Sequence, residues 1–401
     1  MPETKPIRVP ESEIKNRIRS IQKEMDAAGI EGLLVIQRVD LFYFSGTSQN
    51  GILYIPVSGA PLLMVKRYFP RAKSESAIRD TVEIGSVKEL SHRIRDAFGS
   101  LPSVLGLELD VLPVREFEFF KKLLCPKQIK DASPIILDLR RIKSIWEIGQ
   151  MEKTAEMSRL TFEYMRTMIR PGISEMEFAG MYETFARRHG HAGMLRDRNF
   201  QGGGAYSWHV LSGESGGMPG VLDAAASGEG TSAAFPSGAG NRRLERNEPI
   251  MVDFGSVRHG YHMDETRMFA IGSMPAEAQK ASRAAIEIHD AVLERARPGA
   301  VTGDLFRYSV DLAEKLGYGD QYLGPRGHQV RFIGHGIGLE LIEPPIIAQG
   351  KTDLLEPGMT FALEPKMVFQ GAFAAGVESV FQVTTAGSRL ISTVPVDIFI
   401  C

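Results

Sequence analysis

This 401-residue chain contains two pairs of carboxylates, and the two members of each pair flank a predicted turn. Their spacing is the feature of the sequence that most clearly suggests chemistry. Asp253 and Asp264 lie in two strand-like segments joined through Arg258, His259 and Gly260. The midpoint of the two aspartates falls in that turn, so in a regular hairpin their Cβ atoms would face each other about 5 Å apart. Like charges so placed repel each other, and a shared cation would remove the repulsion. The spacing therefore predicts a cation site on this hairpin.

A second pair repeats the arrangement nearer the C-terminus. Glu364 and Glu378 lie in strand-like segments, and the midpoint between them is Gly371, inside the predicted turn. His335 has a glycine on each side, which would let backbone and metal approach it closely. Two Asp, two Glu and one His suit two divalent ions about 3.5–4 Å apart. Such an oxygen-rich set favours Mn, Co, Fe or Zn over a thiophilic metal without choosing among them.

Composition limits the metal types and the classes of function. With 2 cysteines and 9 histidines, the chain cannot build a disulfide framework or a thiolate zinc cage, so a metal site must rely on carboxylates. The formal net charge of −2 gives no basic field for nucleic acid or an anionic membrane. No apolar run reaches the roughly 18 residues of a membrane span, and the polar N-terminus lacks the apolar core of a signal peptide. We expect a cytoplasmic protein.

The elements that must position these residues divide into two predicted domains. Residues 1–139 alternate short apolar strand segments, Leu41–Phe44 among them, with helical periodicity, which indicates a compact α/β domain. Residues 140–401 are predicted to form an α+β domain that contains all the candidate ligands. Within this domain, 11 of the 40 residues at 201–240 are glycine. Irregular chain of this length is uncommon unless it lines a site.

The motifs together resemble those of the pita-bread metallopeptidases, which include Xaa-Pro aminopeptidase and prolidase, with creatinase as a relative. The resemblance covers most of the chain and retains all five metal positions: Asp253, Asp264, His335, Glu364 and Glu378. It implies a pita-bread fold for the C-terminal domain, preceded in the chain by a creatinase-like N-terminal domain. It also implies a homodimeric exopeptidase that removes the N-terminal residue from peptides, preferably Xaa-Pro. Water activated by two divalent metal ions would attack the peptide carbonyl, with Glu364 as proton shuttle.

Three positions depart from the pattern of this family. Phe235, or Pro236 if the gap is shifted by one residue, and Ile342 stand where the family usually has histidines that bind substrate or stabilise the tetrahedral intermediate. Gly376 stands where an Arg commonly precedes the last glutamate by two residues. Loss of one oxyanion donor can lower the rate by about 10²–10³. His209, in the glycine-rich segment, is a candidate catalytic replacement, with a purely structural histidine as the alternative.

Further candidates concern the substrate. His262 lies two residues before Asp264 and is expected on the same face of its strand, either as a substrate contact or as a sheet histidine beside the metal ligands. Tyr261 and Arg331 are also candidate substrate contacts. Two other functions stay open on the same fold. One is a metal-dependent hydrolase or lyase of a small nitrogen or sulfonium compound, and the other is a non-catalytic binding protein, which retention of every ligand disfavours.

Overall fold

The computed structural model describes residues 7–198, 209–220 and 222–401, which form two compact units. The described residues up to Arg140 form the N-terminal unit, and those from Arg141 onwards form the C-terminal unit. An α/β unit is thus followed by an α+β unit, as the sequence predicts. Within the described ranges, no helix combines the length and apolarity needed to cross a membrane.

The N-terminal unit is a mixed six-stranded sheet with accompanying helices. Its strands are Gly32–Val35 (β1), Gly51–Pro56 (β2), Leu62–Lys66 (β3), Thr81–Ile84 (β4), Val104–Leu107 (β5) and Gln128–Asp131 (β6). Its helices are Glu11–Ala28 (α1), Arg38–Ser45 (α2), Phe69–Glu75 (α3), Leu90–Phe98 (α4), Val114–Leu124 (α5) and Ser133–Arg141 (α6). The strand order is β4-β3-β2-β1-β5-β6, with β2 antiparallel to both of its neighbours and the other pairs parallel.

The strand predicted at Leu41–Phe44 is wrong, because these residues lie within α2. The side chain of Gln37 caps the helix by accepting hydrogen bonds from the backbone N–H groups of Val39 and Asp40. Gly46 ends the helix in the left-handed conformation, with φ of 79°. A short apolar run has no periodicity that separates strand from helix, so these two caps decide the local structure.

In the part of the C-terminal unit that the structure describes, long helices combine with three sheets. Its helices are Ile145–Met168 (α7), Glu175–Arg188 (α8), Ala276–Arg295 (α9) and Thr302–Lys315 (α10). Its strands are His209–Ser212 (β7), Ile250–Arg258 (β8), Tyr261–Ala270 (β9), Phe332–Gly336 (β10), Glu343–Ala348 (β11), Thr360–Leu363 (β12), Lys366–Phe369 (β13), Phe373–Gly376 (β14), Ser379–Thr384 (β15), Gly387–Leu390 (β16) and Phe399–Ile400 (β17). The sheet orders are β17-β9-β8-β7, β11-β10-β12-β15-β16 and β13-β14.

Helix pairs pack against two of these sheets and determine which strand face is left for the site. Phe162 of α7 and Tyr182 of α8 pack on Phe254 of β8, and their ring centroids lie 6.3 and 5.4 Å, respectively, from that of Phe254. Because successive side chains of a strand alternate between faces, Asp253 points away from these helices. In the other large sheet, Phe361 of β12 is buried in the core formed with α9 and α10. Alternation continued past the end of β12 directs Glu364 to the opposite side.

Candidate metal centre

The first carboxylate pair lies on β8 and β9, in diagonal positions rather than directly opposite ones. His259 and Gly260 form a two-residue turn, with φ of 54° and 89°, as a type I′ hairpin turn requires. The resulting register sets Asp253 opposite Thr266, two residues from Asp264. The predicted direct opposition is therefore wrong, because the turn is centred one residue further along than the midpoint of the aspartates. Diagonal positions still share one face of the sheet, so both carboxylates belong to the same site.

The second pair follows the predicted register. Lys366 pairs with Gly376 between β13 and β14, and the same register continued by two residues sets Glu364 opposite Glu378. The pairing of β12 with β15 has this register too. Gly371, with φ of 68°, lies in the turn, where the sequence placed the midpoint of the pair.

Thr266 and Arg267, which come shortly after Asp264 in the chain, hold Glu378 in place. Neither was predicted from the sequence to belong to the site. The hydroxyl of Thr266 donates to Oε2 of Glu378 at 2.9 Å, and the two backbones exchange hydrogen bonds of 3.1 and 3.3 Å. The buried guanidinium of Arg267 donates to the carbonyl of Glu378 and to that of Val394. Burial lowers the pKa of Arg267 to about 10, so it stays charged near neutral pH. The signal for Thr266 is its position opposite Asp253, which appears only once the register is known.

His335, on β10, presents one ring nitrogen to the carboxylates. Its Nδ1 lies 3.0 Å from the carbonyl oxygen of Gly336, and we assign the proton to Nδ1 from this hydrogen bond. That tautomer leaves the lone pair of Nε2 available to a metal. Nε2 lies 3.9 Å from Oδ2 of Asp264 and 3.8 Å from Oε1 of Glu364. One histidine and two carboxylates thus converge on one point.

The glycines beside His335 serve strand packing more directly than access to the imidazole. A Cβ on Gly334 would lie 2.3 Å from the carbonyl oxygen of Ala362, in the neighbouring β12. A Cβ on Gly336 would lie 2.3 Å from the carbonyl oxygen of Glu343, in β11 on the other side. Neither glycine has a positive φ, so space rather than backbone conformation requires them. They let β10 fit between its neighbours and hold His335 in register.

The donor set fits a divalent ion. Asp264, His335 and Glu378 are all buried and offer one ligand atom each, all within 4.8 Å of one another. Ions such as Zn²⁺ bind nitrogen and oxygen ligands at about 2.0–2.2 Å, so two ligand atoms of one ion lie at most about 4.4 Å apart. The 3.9 Å between Nε2 of His335 and Oδ2 of Asp264 is within that limit. Burial and the neighbouring carboxylates raise the pKa of Asp264 well above its usual range, and burial raises that of Glu378 to about 8. A divalent cation would oppose both shifts by favouring the charged carboxylates.

A lysine that the sequence analysis did not single out lies among the same carboxylates. Nζ of Lys366 lies 2.8 Å from Oε2 of Glu364, 3.0 Å from Oδ2 of Asp253 and 3.2 Å from Oε2 of Glu378. Burial alone would lower the pKa of Lys366, but attraction to the three carboxylates outweighs burial and raises it well above its usual range. The available sequence signal is its position two residues after Glu364, which places both on one face of an extended chain.

His209 lies directly beside the first ligand. β7 pairs with β8 in a register that sets His209 opposite Asp253, and directly opposed side chains share a face about 5 Å apart. The side chain is half-buried. Burial lowers the pKa of His209 despite the opposing attraction of Asp253, so the imidazole is neutral near pH 7. This position is compatible with the catalytic role predicted for His209, which stays a prediction.

His262 and His191, also in this unit, are buried and neutral. His262 has partners on both ring nitrogens, because Nδ1 lies 3.0 Å from the carbonyl oxygen of Gly338 and Nε2 accepts from the N–H of Arg196 at 3.1 Å. Nδ1 of His191 accepts from the N–H of Val257 in β8 at 3.1 Å. Burial lowers the pKa of each histidine to about 4. The contacts of His262 are those of a sheet histidine, and its predicted contact with substrate stays untested.

The remaining predicted substrate contacts lie in different surroundings. The hydroxyl of Tyr261 is buried and donates to Oε1 of Glu147 at 3.1 Å. Arg331 is exposed and lines a surface cavity of about 630 Å³. Phe235 and Ile342, at the positions where the family usually has histidine, are 56% and 50% exposed. Substrate roles for Tyr261 and Arg331 stay predictions.

Comparison with known proteins agrees with the geometry of this centre. Residues 149–385 match metallopeptidase family M24, and residues 17–142 match the creatinase/prolidase N-terminal domain. The chain belongs to metallopeptidase family M24, which confirms the predicted family and the pita-bread fold of the C-terminal unit. The family implies divalent metal ions, in agreement with the donor set.

Similar proteins span almost the whole chain. The Xaa-Pro dipeptidase of Pyrococcus furiosus is 26% identical over 382 residues, covering 94% of this chain and 98% of that protein. A solved Xaa-Pro dipeptidase from Bacillus anthracis has a TM-score of 0.83 at 24% identity, covering 97% of this chain and all of that one. The prolidase from Pyrococcus horikoshii has a TM-score of 0.80 at 24% identity, covering 95% and 99% of the two chains. The fold is therefore shared along both units.

Proposed function

We propose that this protein is a metal-dependent exopeptidase that removes the N-terminal residue from Xaa-Pro peptides, acting as an Xaa-Pro dipeptidase. The observation that carries this proposal is the buried donor set of Asp264, His335 and Glu378, assembled in a member of metallopeptidase family M24. Similarity along 94% of the chain to the Xaa-Pro dipeptidase of Pyrococcus furiosus supports the substrate class. Neither a small-molecule hydrolase or lyase nor a non-catalytic binding protein is favoured by these comparisons.

The residues around the centre have distinct tasks in such a reaction. A divalent ion on the donor set would lower the pKa of water and polarise the scissile carbonyl. Lys366 holds Oε2 of Glu364 at 2.8 Å, which leaves Oε1 as the oxygen that accepts a proton and returns it to the leaving amine. His209, neutral and opposite Asp253, can donate a hydrogen bond to the oxygen of the scissile carbonyl as negative charge develops there.

Finer properties belong to the same proposal. The oxygen-rich donor set supports Mn, Co, Zn or Fe as the metal. Cys125 and Cys401 are free and exposed, which supports the cytoplasmic location that we propose. A homodimer is proposed from the family resemblance alone. Light scattering on the purified chain measures the oligomeric state directly.

The test is hydrolysis of defined peptides by protein loaded with Mn²⁺ or Co²⁺. Xaa-Pro dipeptides and tripeptides are assayed beside matched Xaa-Ala peptides, and we expect metal-dependent cleavage of the Xaa-Pro dipeptides. Asp264→Ala should lower kcat/KM by at least the factor of about 10² typical for a lost catalytic group. Asp311→Ala, on the exposed face of α10, is the matched control and should leave kcat/KM unchanged.

The pattern of substrates separates the alternatives. Cleavage of tripeptides in preference to dipeptides would change the assignment from dipeptidase to Xaa-Pro aminopeptidase. Stoichiometric metal binding without turnover of any peptide would refute the exopeptidase proposal and return the small nitrogen or sulfonium compounds as the substrate class.

A further inference from the structure

Lys366 occupies the position among the carboxylates where a second cation would be expected. Its side chain is 5% exposed, and its ammonium contacts Asp253, Glu364 and Glu378 at 3.0, 2.8 and 3.2 Å. An ammonium has three N–H donors, one for each of these carboxylates. All three donors are thus used within the cluster.

Gly376 provides the space for this lysine. The two residues pair across β13 and β14, and a Cβ on Gly376 would lie 2.6 Å from Cγ of Lys366 and 3.2 Å from its Cα and Cβ. Gly376 does not have a positive φ, so its backbone does not require glycine. Any larger residue at this position would displace the lysine side chain. Gly376 and Lys366 are therefore a matched pair, in which the cation lies on one strand and the space for it on the other.

The ammonium of Lys366 places one positive charge inside the carboxylate cluster. A buried divalent ion bound by the same three oxygens would lie next to that ammonium, and two cations at such a distance in a buried site repel strongly. The second ion therefore does not fit while Lys366 keeps these contacts.

We propose that the ammonium of Lys366 replaces one of the two divalent ions, so that the centre binds a single divalent ion through Asp264, His335 and Glu378. Asp253 and Glu364 are then held by the lysine rather than by a second ion. The proposed exopeptidase function enters only through the catalytic consequence, because the metal count can be measured without a substrate. Lys366 acts on the carboxylates and is a positioning residue.

The test is the stoichiometry of Mn²⁺ binding to the full chain. Chelator-treated protein is titrated with Mn²⁺ alone, and bound metal is counted after gel filtration and examined by electron paramagnetic resonance. We expect one equivalent with the spectrum of an isolated ion in the wild type. Lys366→Ala should gain a second equivalent, with the spectrum of two exchange-coupled ions, whereas Lys366→Arg should stay at one. Lys351→Ala, at an exposed lysine, is the matched control and should also stay at one.

Gly376→Ala keeps the lysine and removes its space, so it is an independent variant. Displacement of the Lys366 side chain should increase the affinity for a second Mn²⁺ at least tenfold. If Lys366→Ala does not fold, the count in the wild type and the result for Gly376→Ala decide the question. Two equivalents with coupled spins in the wild type, or no bound metal, would overturn the proposal. A folded Lys366→Ala that stays at one equivalent would do the same.

Peptide hydrolysis measured on the same samples keeps the two proposals apart. One equivalent of Mn²⁺ without turnover of Xaa-Pro peptides would refute the exopeptidase and leave the role of Lys366 intact. Two equivalents with turnover would refute the role of Lys366 and leave the exopeptidase intact.

Discussion

Replacing Thr266 by Val removes one hydrogen bond to a metal ligand and leaves the backbone pairing with Glu378 in place. The lost bond is the 2.9 Å contact between the hydroxyl and Oε2 of Glu378, and both residues are buried. Hydrogen bonds to charged groups contribute about 1.5–3 kcal/mol. Loss of such an outer partner typically lowers metal affinity by about 10–100-fold, which corresponds to about 1.4–2.7 kcal/mol. The two magnitudes agree, so we expect the Mn²⁺ affinity to fall by that factor.

Proton competition gives this prediction a pH dependence. Burial raises the pKa of Glu378 to about 8, and the hydrogen bond from Thr266 opposes that rise. Its loss raises the pKa further, so a proton competes more strongly with the metal. The added loss of affinity is fully present below pH 8, where the metal-free carboxyl is protonated in both proteins, and shrinks above it.

Calorimetric titration with Mn²⁺ at pH 7 and pH 9 measures both effects. Thr266→Ser keeps the hydroxyl and is the matched control, so it should bind within a few-fold of the wild type. Circular dichroism of the valine variant should show the wild-type spectrum, because a β-branched residue suits a strand. A Thr266→Val protein with the wild-type affinity at both pH values would refute the role assigned to this hydrogen bond.

Three further predictions concern glycines and histidines of the C-terminal unit. The folded pKa of His191, about 4, lies below the roughly 6.5 of an unfolded histidine, so its contribution to stability is present above pH 6.5 and lost as the pH falls towards 4. Urea unfolding at pH 7.5 and 5 should show a loss of about 2 kcal/mol from this group, absent in His191→Asn; equal losses in both proteins would contradict this. Gly336→Ala should lower the melting temperature and abolish metal binding, because the added Cβ would collide with the backbone of β11. The control Gly149→Ala lies at an open helical position and should raise stability by about 0.5–1 kcal/mol. A Gly336→Ala protein that melts and binds metal like the wild type would show that the strands adjust. His209→Ala should lower kcat by about 10²–10³ at unchanged metal stoichiometry, and an unchanged kcat would eliminate its catalytic role.

The carboxylate positions could be predicted from the sequence because hairpin registers constrain them. The midpoint of Glu364 and Glu378 coincides with the turn, so their direct opposition was predictable. For Asp253 and Asp264 the turn lies one residue further along, which changes direct opposition into diagonal proximity. Moving the centre of a turn by one residue shifts the strand pairing by two residues. Because side chains alternate between faces with a period of two, each one stays on the same face of the sheet. The two aspartates therefore share one face of the sheet, as predicted, although the predicted register was wrong.

Other features depend on space that no sequence pattern displays. The contacts of Lys366 require the absent side chain of Gly376 on the neighbouring strand, and this relation exists only once the two are paired. The helix at Leu41–Phe44 depends on caps from Gln37 and Gly46, which compete with a strand-like apolar run. Thr266 resembles any strand threonine until the backbone of Glu378 lies beside it.

The two backbone hydrogen bonds between Thr266 and Glu378 also link metal binding to the unfolding of the strands on either side. They join β9 to the segment leading into β15, so neither side can open without separating Asp264 from Glu378. Metal binding stabilises the folded state by mass action and hence opposes this opening. The amide protons of residues 266 and 378 should then exchange with deuterium more slowly as the metal concentration rises. Those of the N-terminal unit, to which none of Asp264, His335 and Glu378 belongs, should not respond.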